Sequence, residues 1–184
     1  NGNNRTCLNV SFMQMYAPML RNVDNILKLT AELTATEDIF PIEKLAEKLG
    51  FAVEEAELPL DVVSRLSMGQ DEGDDVIAIN RYYTLSERRF GIAFELAYAA
   101  INEYAGELLY SYRGGCRKSE KEAYELACRI LMPINLFRNI AIREGYRNGE
   151  QLSALRFIQI SDKVADVFKV PEEAASLRLR KMIS

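Results

Sequence analysis

The sequence predicts an α+β protein: a mostly helical chain with a small β-sheet, followed by a helix-turn-helix-like pair of C-terminal helices. Three observations carry this. Apolar residues recur at helical spacing over long windows, as in Phe90, Ala93, Phe94, Ala97, Tyr98 and Ile101. Short runs such as Phe51 to Leu58, Ser64 to Met68 and Val76-Ile-Ala-Ile-Asn80 have strand composition. The tail from Ile160 to Met182 is a helical pattern interrupted once, at Lys169-Val170, with Pro171 placed to open a second helix.

Each element can be justified in order. Asn1 to Asn9 is polar and is expected to fray. Ser11 to Leu33 suits an amphipathic helix, with a break or a helix start at Pro18. Thr34 to Asp38 reads as a loop. Pro41 to Gly50 is a short helix, with Pro in its first turn and Gly at its stop. A strand begins at Phe51, Pro59 starts a turn, and a second short strand covers Ser64 to Met68. Gly69 to Asp75 is an acidic, Gly-punctuated turn whose ligand spacing is wrong for calcium. Val76 to Asn80 is a buried strand. The central helix follows, with Ser86 as its candidate N-cap, and Tyr104 to Ser111 continues or follows it. Tyr112 to Ser119 is a basic loop, and Ser119 is expected to cap a helix over Glu120 to Leu131 that Pro133 stops. Leu136 to Glu144 and Leu152 to Ile160 are further helices. The chain divides into an N-terminal helical extension over 1–36, a main domain over 37–148 and C-terminal helices over 149–184.

Composition narrows the function. The 184 residues are 48% hydrophobic with a formal net charge of −4, which fits a soluble chain with one sizeable core. Such a balance argues against a surface covered in nucleic-acid-binding charge. No apolar run is long enough to span a bilayer and no signal-peptide core is seen, although a first residue of Asn rather than Met leaves a removed leader open. Cys7, Cys116 and Cys128 are too few and too scattered for a disulfide framework or a zinc knuckle. Cys128 reads as a small core residue. Cys116 lies among Arg113, Arg117 and Lys118, but the chain has 0 His to pair with it as a nucleophile. Reduced thiols and a cytoplasmic setting are expected.

The stretch Arg88 to Glu103 organises the rest. Within its apolar pattern stands one charge, Glu95, which either lies at the edge of the apolar face or is buried and therefore paired, metal-bound or protonated. A zinc-peptidase helix of the H-E-x-x-H type sets two imidazoles at i and i+4, with the intervening Glu polarising the metal-bound water. Here the window is Phe94-Glu95-Leu96-Ala97-Tyr98. The Glu is present, and both ligand positions carry aromatic rings. Phe has no lone pair for a metal, and a phenol is mostly protonated near neutral pH.

With those residues in view, the order of elements resembles the ImmA/IrrE family of zinc metallopeptidases over roughly Pro41 to Met182. Pro41 to Val53 is similar to the family's opening helix and strand. Val76 to Asn80 followed by Arg89-Phe90-Gly91-Ile92-Ala93 is similar to its strand leading into R-F-T-I-A-H-E-L-G-H. Glu122 to Pro133 is similar to its E-A-N-x-F-A-x-x-L-L-M-P, and the tail to its closing helix-turn-helix. The resemblance implies a zincin-like fold. It places the vestigial metal-ligand positions at Phe94, Tyr98 and Glu122 and a vestigial general base at Glu95, and it puts Ala97 where the family has Gly.

The expectations are then concrete. No zinc or other cofactor is expected, because three protein ligands are needed and only carboxylates remain. The leading reading is a catalytically inactive metallopeptidase-like protein that binds a regulatory partner, since the family's peptidases act on helix-turn-helix repressors of phages and mobile elements. A second reading is DNA binding through the tail, with Arg178, Arg180 and Lys181 as candidate contacts beside Arg156 and Lys163. It is disfavoured by Glu172 and Glu173 in the first turn and by few base-reading side chains. A third is a residual hydrolase using a pocket of Glu95, Glu122, Tyr98 and Tyr124. Against it, Arg88 or Arg89 is expected to neutralise Glu95 or Glu122 where the metal charge would have been.

Overall fold

The computed structural model describes residues 22–34, 39–69, 75–102, 107–111, 118–147 and 149–184. In order, the elements are α1 (Val23–Thr34), α2 (Ile42–Lys48), β1 (Ala52–Ala56), β2 (Val62–Ser67), β3 (Val76–Asn80), α3 (Leu85–Asn102), β4 (Glu107–Ser111), α4 (Lys118–Leu131), α5 (Ile134–Arg143), α6 (Ala154–Phe168) and α7 (Glu172–Ile183). The α+β expectation holds: helices surround a four-stranded sheet in the order β1-β3-β2-β4. Strand β1 runs parallel to β3, and β2 is antiparallel to both β3 and β4.

Local chemistry explains the boundaries. Helix α2 ends where Gly50 takes φ +80°, and the amide of Phe51 closes back on the Ala46 carbonyl. Gly tolerates that left-handed geometry without a Cβ penalty. The amide nitrogen and hydroxyl of Thr84 both donate to Glu87 Oε2, at 2.9 and 2.6 Å. Thr84 Oγ1 in turn accepts from the Glu87 amide at 3.4 Å. That reciprocal capping box makes Thr84, not Ser86, the start of α3. Asn80 is fully buried; its Nδ2 donates to the carbonyls of Leu58, Pro59 and Val62 at 3.2, 3.1 and 2.8 Å. One side chain thus fixes the turn between β1 and β2 to the end of β3.

Three boundaries differ from the sequence reading. Residues 107–111 form a strand rather than more helix, because β2 offers an unpaired edge and β4 fills it in antiparallel register. Helix α4 starts at Lys118, so Ser119 is inside it. The two segments read as separate helices around Ile160 are one helix, α6, capped by Ser153, whose side chain accepts from the Arg156 amide. Nothing between Ala154 and Phe168 interrupts the backbone ladder; what ends it is Lys169 at φ 53°, a left-handed stop reached without Gly. The expectations for Asn1 to Asn9, for Ser11 to Arg21 with Pro18, for residues 35–38, 70–74 and 104–106, for Tyr112 to Arg117, and for Cys7 and Cys116 lie outside the described residues.

Helix α3 is the hub. From Arg89 to Ala99 every residue is buried, whereas the periodicity suggested one apolar face. It packs on α4, β2, β3, α2 and α1, and the core continues through Phe137, Ile160, Val164, Phe168, Ala174 and Leu179 of the later helices. A helix enclosed all round needs small residues where backbones meet, and Gly91, Ala93, Ala97 and Ala99 supply them. No described helix is long and apolar enough to cross a membrane.

Candidate functional site

Glu95 sits at the centre of α3 and is 0% exposed. It is therefore buried, not at the edge of an apolar face. Its carboxylate accepts a hydrogen bond from Ser64 Oγ, 2.7 Å from Oε1. Ser64 is itself 0% exposed, in the middle of β2. Two features of the backbone allow this approach. Gly91, one turn before Glu95, faces the same strand: a Cβ there would meet Ser64 Cβ, Ser64 Oγ and Val63 Cγ1, each at 3.2 Å. The β2–β4 register also shifts between Val62 and Ser64. In a regular strand consecutive side chains alternate faces, yet Val63 and Ser64 both reach the same glycine. A bulge that re-aims a side chain accounts for this.

The aromatic positions form a stack beside the carboxylate. The rings of Phe94 and Tyr98 lie 6.1 Å apart between centroids, tilted by 30°. Both are buried. Phe90, one turn earlier, packs at 4.7 Å on Tyr124 of α4, which fastens the two helices. Offset aromatic contacts of this kind add to simple burial. Glu122, the third position that the resemblance marks as a metal ligand, lies on the exposed side of α4, next to buried Ala123. The structure thus buries Phe94, Glu95 and Tyr98 together on α3, the two rings against each other and the carboxylate against Ser64, and leaves Glu122 at the surface. Among the described residues no group of three His, Cys, Asp or Glu side chains could hold a metal ion.

The arginines expected to neutralise Glu95 or Glu122 go elsewhere. Arg88 pairs with Glu55 on β1. Arg89 is buried, and its Nη2 donates to the Phe40 carbonyl at 2.8 Å. Burial pushes the Arg89 pKa below the ordinary value, and Glu43 pulls it back. Direction explains the outcome: nearly two turns before Glu95, their side chains lean toward the N-terminal end of α3 and meet β1 and residue 40.

The tail residues are also engaged within the chain. Arg178 Nε donates to the Met132 carbonyl at 3.1 Å, which ties α7 to the end of α4. Lys181 pairs with Glu125, and the Arg180 guanidinium lies 6.0 Å from the Phe157 ring centre. Arg156 donates to the Gly145 carbonyl, and Lys163 lies 3.8 Å from Glu144. Cys128 is a core residue, as its pattern suggested, and burial pushes its thiol up to about 12.

Ser64, Gly91 and Asn80 were not singled out from sequence. One signal was available. Ser64 interrupts the apolar run Val62-Val63-Ser64-Arg65-Leu66, and a polar residue inside a buried strand requires a partner. Which partner could not be read.

The sequence that builds this site matches a known family. A peptidase M78 family model, described as the IrrE N-terminal-like domain, matches residues 46–180. No curated protein matches the chain at a significant level. The match runs from the end of α2 through the strand-helix core and into α7, and so covers the helix with Glu95 and the helix with Glu122. The fold is that of a metallopeptidase-like domain with a helical C-terminal segment, and the chain belongs to the peptidase M78 family of IrrE N-terminal-like, ImmA/IrrE-type proteins.

Proposed function

We propose that this chain is a catalytically inactive member of its family that acts as a regulatory protein-binding module, directed at a repressor-type regulator of a phage or mobile element. The observation that carries the reading is the buried ring pair of Phe94 and Tyr98 on the same helix as a fully buried Glu95. At the two positions where the family resemblance puts imidazoles, the chain has stacked rings. A zinc ion there would meet ring carbons and a phenol in place of two nitrogen donors, so this donor set does not fit it. A general base must come within hydrogen-bond reach of the proton it takes. Glu95 has no exposed surface and accepts from Ser64 instead, which suits a role in holding α3 against β2.

Protein rather than nucleic acid is favoured as partner because Arg178 and Lys181 are committed to Met132 and Glu125. Phosphate contacts would compete with both, and the first turn of α7, where phosphates would approach, carries Glu172 and Glu173. The test is to measure metal per chain after refolding with zinc, then to incubate the protein with repressors encoded beside it. Association without cleavage, unchanged in Glu95→Gln, is expected. Stoichiometric zinc, or hydrolysis that Glu95→Gln abolishes, overturns the reading.

A further inference from the structure

Helix α6 carries more apolar surface than its core face requires. Ile160, Val164, Ala165 and Phe168 point into the core. On the opposite side Leu155 and Ile158, three residues apart, are 68% and 54% exposed. Asp162 continues that stripe one turn on. Beside it, between α6 and α7, runs a groove of about 460 Å³ lined by Ile158, Asp162, Glu172, Ser176, Leu177 and Arg180. A second hollow of about 390 Å³ adjoins it and shares Asp162 and Glu172, adding Glu87 and Asp166 to the rim.

The charges on this rim are unequal in availability. Lys169 is held by Asp166 at 2.7 Å, and Arg180 lies over Phe157. Among the described residues, Asp162 and Glu172 make no ion pair. The groove therefore offers Ile158 and Leu177, with exposed Leu155 one turn before Ile158 at its end, bordered by available negative charge. A second copy of this chain would bring the same acidic rim against itself, and a nucleic acid would be repelled. The complementary occupant is a short helix with apolar residues on one face and Lys or Arg on its flanks.

We propose that the α6–α7 groove is a docking site for a basic amphipathic helix of a partner protein, seated on Leu155, Ile158 and Leu177 and flanked by Asp162 and Glu172. The site is separate from the buried residues around Glu95. It rests on the regulatory reading only for the claim that its natural occupant is a regulator.

The test uses the full chain and two synthetic amphipathic helices with the same leucine face, one flanked by lysines and the other by glutamates, followed by fluorescence anisotropy. The lysine peptide is expected to bind and the glutamate peptide not. Ile158→Asp, and the pair Asp162→Lys with Glu172→Lys, should each weaken the lysine peptide at least about tenfold, while the control reversals Glu47→Lys and Glu54→Lys leave it unchanged. The double reversal should also begin to bind the glutamate peptide. Absence of binding, equal weakening by the controls, or duplex DNA or anionic vesicles binding in a way lost on Ile158→Asp would overturn the proposal. If a repressor associates and Ile158→Asp leaves that association intact, the groove is refuted as the partner's seat and the regulatory reading survives. If the peptide occupies the groove but no regulator associates, the groove stands and the regulatory reading fails.

Discussion

Replacing Ser64 with Ala removes one hydroxyl from a carboxylate that has no contact with water. Ser64 and Glu95 are both fully buried and 2.7 Å apart, so the lost bond is not exchanged for one to solvent. A hydrogen bond to a charged or strongly polar buried group is worth about 1.5–3 kcal/mol, and the volume removed is a single oxygen. At about 2–4 °C per kcal/mol for a chain of this size, the melting temperature should fall by roughly 3–12 °C. Urea unfolding followed by far-UV circular dichroism and tyrosine fluorescence gives the free energy directly. Combining Ser64→Ala with Glu95→Leu should show coupling of about 1–2 kcal/mol, because the hydroxyl has no carboxylate to serve once Glu95 is gone. Additive single effects, or a Ser64→Ala change below about 0.5 kcal/mol, would refute the idea that this contact holds α3 to the sheet. Glu95→Gln keeps both shape and acceptor and is expected to cost less than Ser64→Ala; the reverse order would point to a role for the charge itself.

Further consequences can be checked with the same unfolding measurements. Gly91→Ala gains about 1 kcal/mol of helix propensity but forces a Cβ to 3.2 Å from Ser64 and Val63, which are buried and have little room to give, so a net loss of about 1 kcal/mol is expected. Arg178→Ala should destabilise by about 1–2 kcal/mol through loss of the Met132 contact and of its packed stem, with no change in retention on DNA. Cys128, in a background lacking Cys7 and Cys116, should resist a thiol reagent until the protein unfolds. Its folded pKa, about 12, lies above the ordinary 9.0, so the folded state keeps the proton longer. The stability linked to that proton is complete below pH 9 and is lost as pH rises toward 12; the difference between wild type and Cys128→Ala should shrink across that window.

Much of the architecture was legible because it depends on local periodicity and on Gly and Pro. The α2 stop at Gly50, the buried strand β3, the break before Pro171 and the core position of Cys128 all follow from neighbouring residues. The β4 strand was not legible: Glu107 to Ser111 becomes a strand only because the β2 edge is there to pair with it. The capping of α3 was misassigned by two residues because Ser is the better cap taken alone, whereas Thr84 has Glu87 three residues on and forms the reciprocal box with it.

By itself the sequence determined that the helix at the centre has Phe94 and Tyr98 flanking a Glu in a chain with 0 His, since residue identity decides which atoms can donate to a metal. It also determined the order of elements by which the family is recognised. Only the tertiary structure decided where Glu95 points, what it meets, and that Arg88 and Arg89 turn to Glu55 and Phe40. Those outcomes depend on contacts between residues 31 to 49 positions apart, the first of them allowed by the bulge in β2 and the bare backbone of Gly91, and no periodicity encodes such distances.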